Sequence, residues 1–185
     1  MKFPGHWLLR ATGWRIVNGI PQDLKKYVVA VAPHTSWRDF FLGLAVRSVL
    51  GRKICYLGKQ ELFDSIFGFF FRCTGGKPVN RNLKSGLVEQ VAGYFENNEE
   101  FAIALAPEGT RKKVQHFKTG FYFIARRANV PIIACVLDYG KKEVRFHPPF
   151  YPGDDATADM DFIWNLFRDV KGAHHSRSIT GEREP

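Results

Sequence analysis

The sequence predicts a single α/β domain with a mostly parallel or mixed central sheet flanked by helices, preceded by a short amphipathic helix. Short β-branched or apolar runs, such as Tyr27-Val28-Val29-Ala30-Val31 and Phe101–Leu105, alternate with longer stretches of helical periodicity. The 185 residues suffice for one core of ordinary size, and no linker-like stretch divides residues 1–185. Two of the runs end at a proline followed by a polar cluster, which is where open α/β sheets place their chemistry.

Taken in order, Trp7, Leu8, Ala11, Trp14 and Val17 predict a helix over 6–17, with Arg10 and Arg15 elsewhere on its wheel. Within residues 1–20 this basic helix with two tryptophans suits the headgroup boundary of a bilayer as well as it suits packing on the domain's own sheet. Gly19-Ile20-Pro21 is expected to end it. A buried strand over 27–31 follows, then a helix over 40–50 with Ser36 as its cap. A strand over 53–57 carries Lys59 to its end. Residues 62–71 are apolar on nearly every side of a helix, so they are expected to be buried or to face lipid.

Gly75-Gly76 permits a turn, after which Lys77-Pro78-Val79-Asn80-Arg81 runs extended and presents Arg81. Leu83, Leu87, Val88, Val91 and Tyr94 or Phe95 trace an amphipathic helix over 83–97. The strand Phe101–Leu105, a helix over 118–128 and strands over 131–137 and 143–146 come next. Met160, Ile163, Trp164, Phe167 and Val170 mark a last helix, and 172–185 reads as a polar tail in which His174 and His175 are solvated.

A formal net charge of +9 points to anionic partners. Lys and Arg are spread along the chain instead of forming a stripe or a nucleic-acid module, so an anionic membrane surface ranks above nucleic acid. The 17 phenylalanines suit either a surface that meets lipid or a Phe-heavy core. No apolar stretch reaches the length a spanning helix needs, so the expectation is a protein that lies on a membrane or is soluble. Three cysteines, Cys55, Cys73 and Cys135, have no metal-ligand spacing and sit among apolar residues, which argues for small buried hydrophobes in a reducing, cytosol-facing location. No metal site is expected.

The first polar cluster is Ala32-Pro33-His34-Thr35-Ser36-Trp37-Arg38-Asp39. Ser36 and Asp39 fit a loose capping box, on which view His34 is only a loop residue. With His34 in the loop and Asp39 in the first helical turn, the carboxylate can instead accept from one ring nitrogen and leave the other free as a base. The second cluster, Pro107-Glu108-Gly109-Thr110-Arg111, reads by itself as a polar turn made possible by glycine.

Together the clusters make the chain resemble the glycerolipid acyltransferases typified by 1-acylglycerol-3-phosphate acyltransferase. A His-x4-Asp block is followed, 74 residues from His34 to Glu108, by Pro-Glu-Gly-Thr-Arg. The stretches 58–63 and 75–81 are similar to that family's second block, and Lys118, Gly120 and Val130-Pro131-Ile132-Ile133 to its last. Asn80, Lys112 and Ala134 depart from residues common there and put the acceptor, though not the base, in doubt.

The resemblance implies transfer of a fatty acyl group from acyl-CoA or an acyl carrier protein thioester to a lysolipid hydroxyl, by a peripheral membrane enzyme on the cytoplasmic side. His34 would be the base and Asp39 its orienting partner. Lys59, Arg81, Glu108, Gly109, Thr110 and Arg111 would hold the acceptor, with Glu108 pairing with Arg111 or bonding the glycerol. Backbone N–H groups near Gly109 would serve the oxyanion. No bound cofactor is implied. Lysophosphatidic acid is the leading acceptor, and a lyso-ornithine or lyso-glycine lipid would use the same chemistry. The residues by themselves also admit a thioesterase or a non-catalytic module binding anionic lipid.

Overall fold

The structure, a computed structural model, describes residues 4–79 and 86–181. Seven strands form one mixed sheet in the order β1-β7-β6-β2-β5-β3-β4: β1 (Arg15–Val17), β2 (Lys26–Ala32), β3 (Ile54–Lys59), β4 (Gly76–Val79), β5 (Phe101–Leu105), β6 (Ile132–Asp138) and β7 (Glu143–Phe146). The five strands from β6 to β4 are parallel, whereas β7 pairs antiparallel with β6 and parallel with β1.

Two cores cover the two faces. On one, α1 (Gly5–Thr12) and α2 (Arg38–Leu50) bring Leu9, Leu42, Ala45 and Val46 onto Tyr27, Val29, Ile133 and Leu137. On the other, α5 (Gly86–Glu96), α6 (Gly120–Ala128) and α7 (Ala156–Phe167) bring Phe95, Phe121, Ile124, Trp164 and Phe167 onto Val28, Ile103 and Ile132. Because both faces of β2 and β6 are covered, these strands read as continuous apolar runs instead of alternating ones.

The connections set the site. From β2 the chain leaves through α2 toward β3, on one face, while from β5 it leaves through α6 toward β6, on the other. Adjacent strands β2 and β5 therefore send their chains in opposite directions and open a crevice at their carboxyl ends, the position at which such sheets bind ligands.

Four elements differ from the sequence reading. The first helix stops at Thr12, not near Val17, because Gly13 adopts a left-handed φ of 73° and caps it. Arg15 to Val17 then pair with β7. Trp14 turns inward and meets Tyr139 edge-on, whereas Trp7 stays 77% exposed. The apolar stretch 62–71 is two short helices, α3 (Gln60–Asp64) and α4 (Gly68–Cys73), parted at Ser65, Ile66 and Phe67. Gly68 permits the break, since a Cβ there would overlap the Phe63 carbonyl oxygen. Finally, the tail is not merely solvated: Ser178 and Ile179 are buried, and a 3-10 turn spans His175–Arg177.

Candidate active site

His34 emerges from β2 after a cis Ala32-Pro33 bond, and Asp39 lies in the first turn of α2. His34 Nδ1 stands 3.0 Å from Asp39 Oδ2, with the imidazole 29% exposed and the carboxylate buried. The same Oδ2 accepts the backbone N–H groups of Thr35 and Ser36, each at 2.9 Å. Ser36 Oγ in turn accepts from Arg38 N at 3.3 Å. One carboxylate thus holds both the backbone N–H groups just ahead of the helix and the imidazole ring, although no side chain caps the helix itself.

Burial alone would raise the Asp39 carboxyl, but hydrogen bonds from His34, the Tyr139 hydroxyl and Ser36 N–H outweigh it and hold Asp39 below the usual range. An ionised Asp39 accepts the Nδ1 proton, so Nε2 is left as the basic nitrogen.

Glu108 follows β5, the strand beside β2, which is why residues 74 apart meet. Its two oxygens accept His34 N–H at 3.0 and 2.8 Å, and Glu108 is 2% exposed. Burial pushes its carboxyl up to about 8, the His34 N–H opposes this, and the nearby Asp39 charge adds to it. Expected beside the acceptor, paired with Arg111 or bonding the glycerol, Glu108 braces the histidine loop from within by accepting the His34 N–H. Among the described residues it makes no ion pair with Arg111, which is exposed.

Gly109 turns the loop at φ 63°, and its N–H donates to the Ala106 carbonyl at 3.0 Å. That bond removes the Gly109 N–H from the set of free oxyanion donors. Thr110 Oγ1 accepts from Lys112 N at 3.3 Å, inside the same loop. Lys59 is exposed at the end of β3, the next strand along the same carboxyl edge. Lys118 lies across Gly109, its Cδ 2.7 Å and its Nζ 3.2 Å from where a Cβ would stand. Lys59, Arg111 and Lys118 are therefore cations at one edge of the sheet. Arg81, with Asn80, lies outside the described residues.

A cavity of about 310 Å³ runs from His34 and Asp39 beneath α2 to Arg47. Val29, Val31, Phe40, Ile54, Tyr56 and Ala104 make its wall mostly apolar. Arg47 also lines it and donates to the Ile54 and Thr74 carbonyls. Cys135 borders this space with its thiol pushed up to about 12 by burial, which suits a packing residue and not a nucleophile.

Two contributions escaped the sequence. Tyr139 donates its hydroxyl to Asp39 Oδ1 at 2.6 Å. His174 N–H donates to Thr35 Oγ1 at 3.0 Å, and Gly172 sits so close to Thr35 that a Cβ would lie 2.8 Å from Oγ1. Both come from the far C-terminal third, where no local pattern pointed toward His34. The aromatic Tyr139 directly after β6 was the only trace.

Among the described residues, no group of three His, Cys, Asp or Glu could hold a metal ion, and no helix is long and apolar enough to cross a membrane. No match was found among curated proteins. Among solved structures, the chain is similar to the crystal structure of the 1-acyl-sn-glycerophosphate (LPA) acyltransferase PlsC from Thermotoga maritima. The TM-score is 0.60 at 19% identity, covering 88% of this chain and 73% of that one. At that identity the shared property is the fold. A family model described as Acyltransferase matches residues 15–138, which run from the first residue of β1 to the last of β6 and enclose both polar clusters. That match, over most of the chain and both polar clusters, makes this protein a member of the acyltransferase family.

Proposed function

We propose that this acyltransferase moves a fatty acyl group from an acyl thioester, acyl-CoA or acyl carrier protein, to the hydroxyl of a lysolipid, with lysophosphatidic acid the leading acceptor. The observation that carries the reading is the His34 Nδ1 to Asp39 Oδ2 pair, 3.0 Å apart and lining an apolar cavity. A base and a hydrocarbon-lined space in register suit a reaction that joins a hydroxyl to a fatty thioester.

In this mechanism Nε2 of His34 takes the hydroxyl proton as the oxygen attacks the thioester carbonyl, and Asp39 stabilises the imidazolium that forms. The tetrahedral intermediate then expels the thiolate, which takes the proton back. No acyl-enzyme is needed, because the base activates the acceptor itself. Lys59, Arg111 and Lys118 supply charge for an acceptor phosphate, and the enclosed, largely neutral Glu108 adds little repulsion to it.

The acceptor is a membrane lipid, and the surface supports docking there. Ile66 is 92% and Phe69 79% exposed on the turn and helix after β3, and Trp37 and Phe41 stand beside His34's own loop. A net charge of +9 complements anionic headgroups.

The test is thiol release from palmitoyl-CoA and from an acyl carrier protein thioester, with and without lysophosphatidic acid, beside His34→Ala. Release that requires the acceptor, yields phosphatidic acid and vanishes in the variant is expected. Release without acceptor would point to a thioesterase, and wild-type turnover by a folded His34→Ala protein would overturn the mechanism.

A further inference from the structure

The carboxylate of Asp39 is held asymmetrically. Oδ2 collects three donors, His34 Nδ1, Thr35 N and Ser36 N, all within five residues of Asp39 itself. Oδ1 receives the Tyr139 hydroxyl at 2.6 Å, from 100 residues away. We infer that Tyr139 is a positioning residue for acyl transfer: by anchoring Oδ1 it fixes the rotation of the Asp39 carboxylate and so keeps Oδ2 on His34 Nδ1. The inference rests on the acyl-transfer reading above.

Tyr139 is itself fixed from several sides. It directly follows β6, and its backbone N–H donates to the Lys171 carbonyl at 2.7 Å. Trp14 packs edge-on against its ring, 4.8 Å between centroids at 85°. The hydroxyl is thus a donor at a predetermined point, not a mobile side chain that happens to reach the acid. Asp39 is 5% exposed, so water cannot readily replace a lost donor at Oδ1. Without that donor the buried carboxylate gains by rotating to share the backbone N–H groups between its oxygens, and His34 Nδ1 loses its fixed acceptor.

Tyr139 acts only through Asp39. Burial and the Asp39 charge raise the phenol far above its ordinary value, so it stays protonated and donates throughout the working range. The charged or titratable groups facing this pair are His34, Glu108 and, on the tyrosine side, Arg38.

Tyr139→Phe keeps the ring against Trp14 and removes only the donor. Hydrogen bonds to charged groups of this kind predict a fall in kcat of about 10- to 100-fold with little change in the acceptor's KM. With its acceptor no longer fixed, His34 Nδ1 is held less well by Asp39, so the imidazolium formed as the hydroxyl attacks is less stabilised and the loss falls on kcat. Tyr139→Phe combined with Asp39→Asn is expected to be no slower than Asp39→Asn alone, because the tyrosine has nothing left to position. Long-range 1H–15N NMR of the imidazole, which needs no turnover, is expected to show the Nδ1-protonated tautomer in the wild type and a mixture in Tyr139→Phe.

Full turnover in Tyr139→Phe, a further additive loss in the double variant, or an unchanged tautomer would each overturn the role of Tyr139. Failure of the acyl-transfer reading shows separately, as a wild-type protein that transfers no acyl group, and the NMR arm then still decides whether Tyr139 sets the tautomer.

Discussion

Replacing Glu108 with glutamine tests the electrostatics of the crevice without changing its shape. The carboxyl is 2% exposed and pushed from its ordinary 4.5 up to about 8. A folded pKa above the unfolded one means that the native state binds more protons between those values. Its contribution is therefore fully present below about pH 4.5 and is lost as pH rises through 8. The interval corresponds to about 5 kcal/mol in all, at most about 1.4 kcal/mol per pH unit.

In Glu108→Gln the amide keeps one oxygen for the His34 N–H and cannot ionise. Urea unfolding of the wild type and Glu108→Gln at intervals from pH 4 to pH 8.5 reads the difference directly. Relative to the variant, the wild type is expected to lose stability steadily as pH rises, with the two curves drawing together below pH 5. Parallel curves across this window would refute the claim that Glu108 is protonated inside the fold, and with it the argument that a largely neutral Glu108 tolerates an anionic acceptor nearby.

Two further outcomes follow from the cavity and the exposed apolar surface. Ala104→Leu, on β5 beside Val29 and Tyr56, fills part of the space beneath α2; at about 0.8 kcal/mol per buried methylene, loss of room for two methylenes lowers kcat/KM for a palmitoyl thioester roughly tenfold relative to a lauroyl one. Competition between the two thioesters measures it, and an unchanged ratio would remove this cavity as the acyl site. Ile66→Asp with Phe69→Asp, both at exposed positions, is expected to keep the fold and lower binding to anionic vesicles at least tenfold. Co-sedimentation with vesicles reads it, and undiminished binding would place the docking face elsewhere.

The features legible in the chain were local ones. Apolar runs ending at Pro33 and Pro107 marked strand ends, and the five-residue step from His34 to Asp39 allows loop and first turn to meet, but the same residues also read as a loose capping box, and only the resemblance of both clusters to the acyltransferases favoured the pair. The helices α5, α6 and α7 were likewise legible because each buries one periodic face.

The rest depended on how distant segments meet. Only the placement of β5 against β2 turned Glu108 inward onto the His34 backbone, because pairing between distant strands leaves no periodic trace in either. Gly68 meeting the Phe63 carbonyl split an apolar run that periodicity alone reads as one helix. Tyr139 and the segment around Gly172 reached the histidine loop through the folded sheet, from 100 residues and more away. A residue's chemical type and near neighbours are written in the chain, whereas which buried oxygen receives a given hydroxyl depends on where the whole sheet puts it.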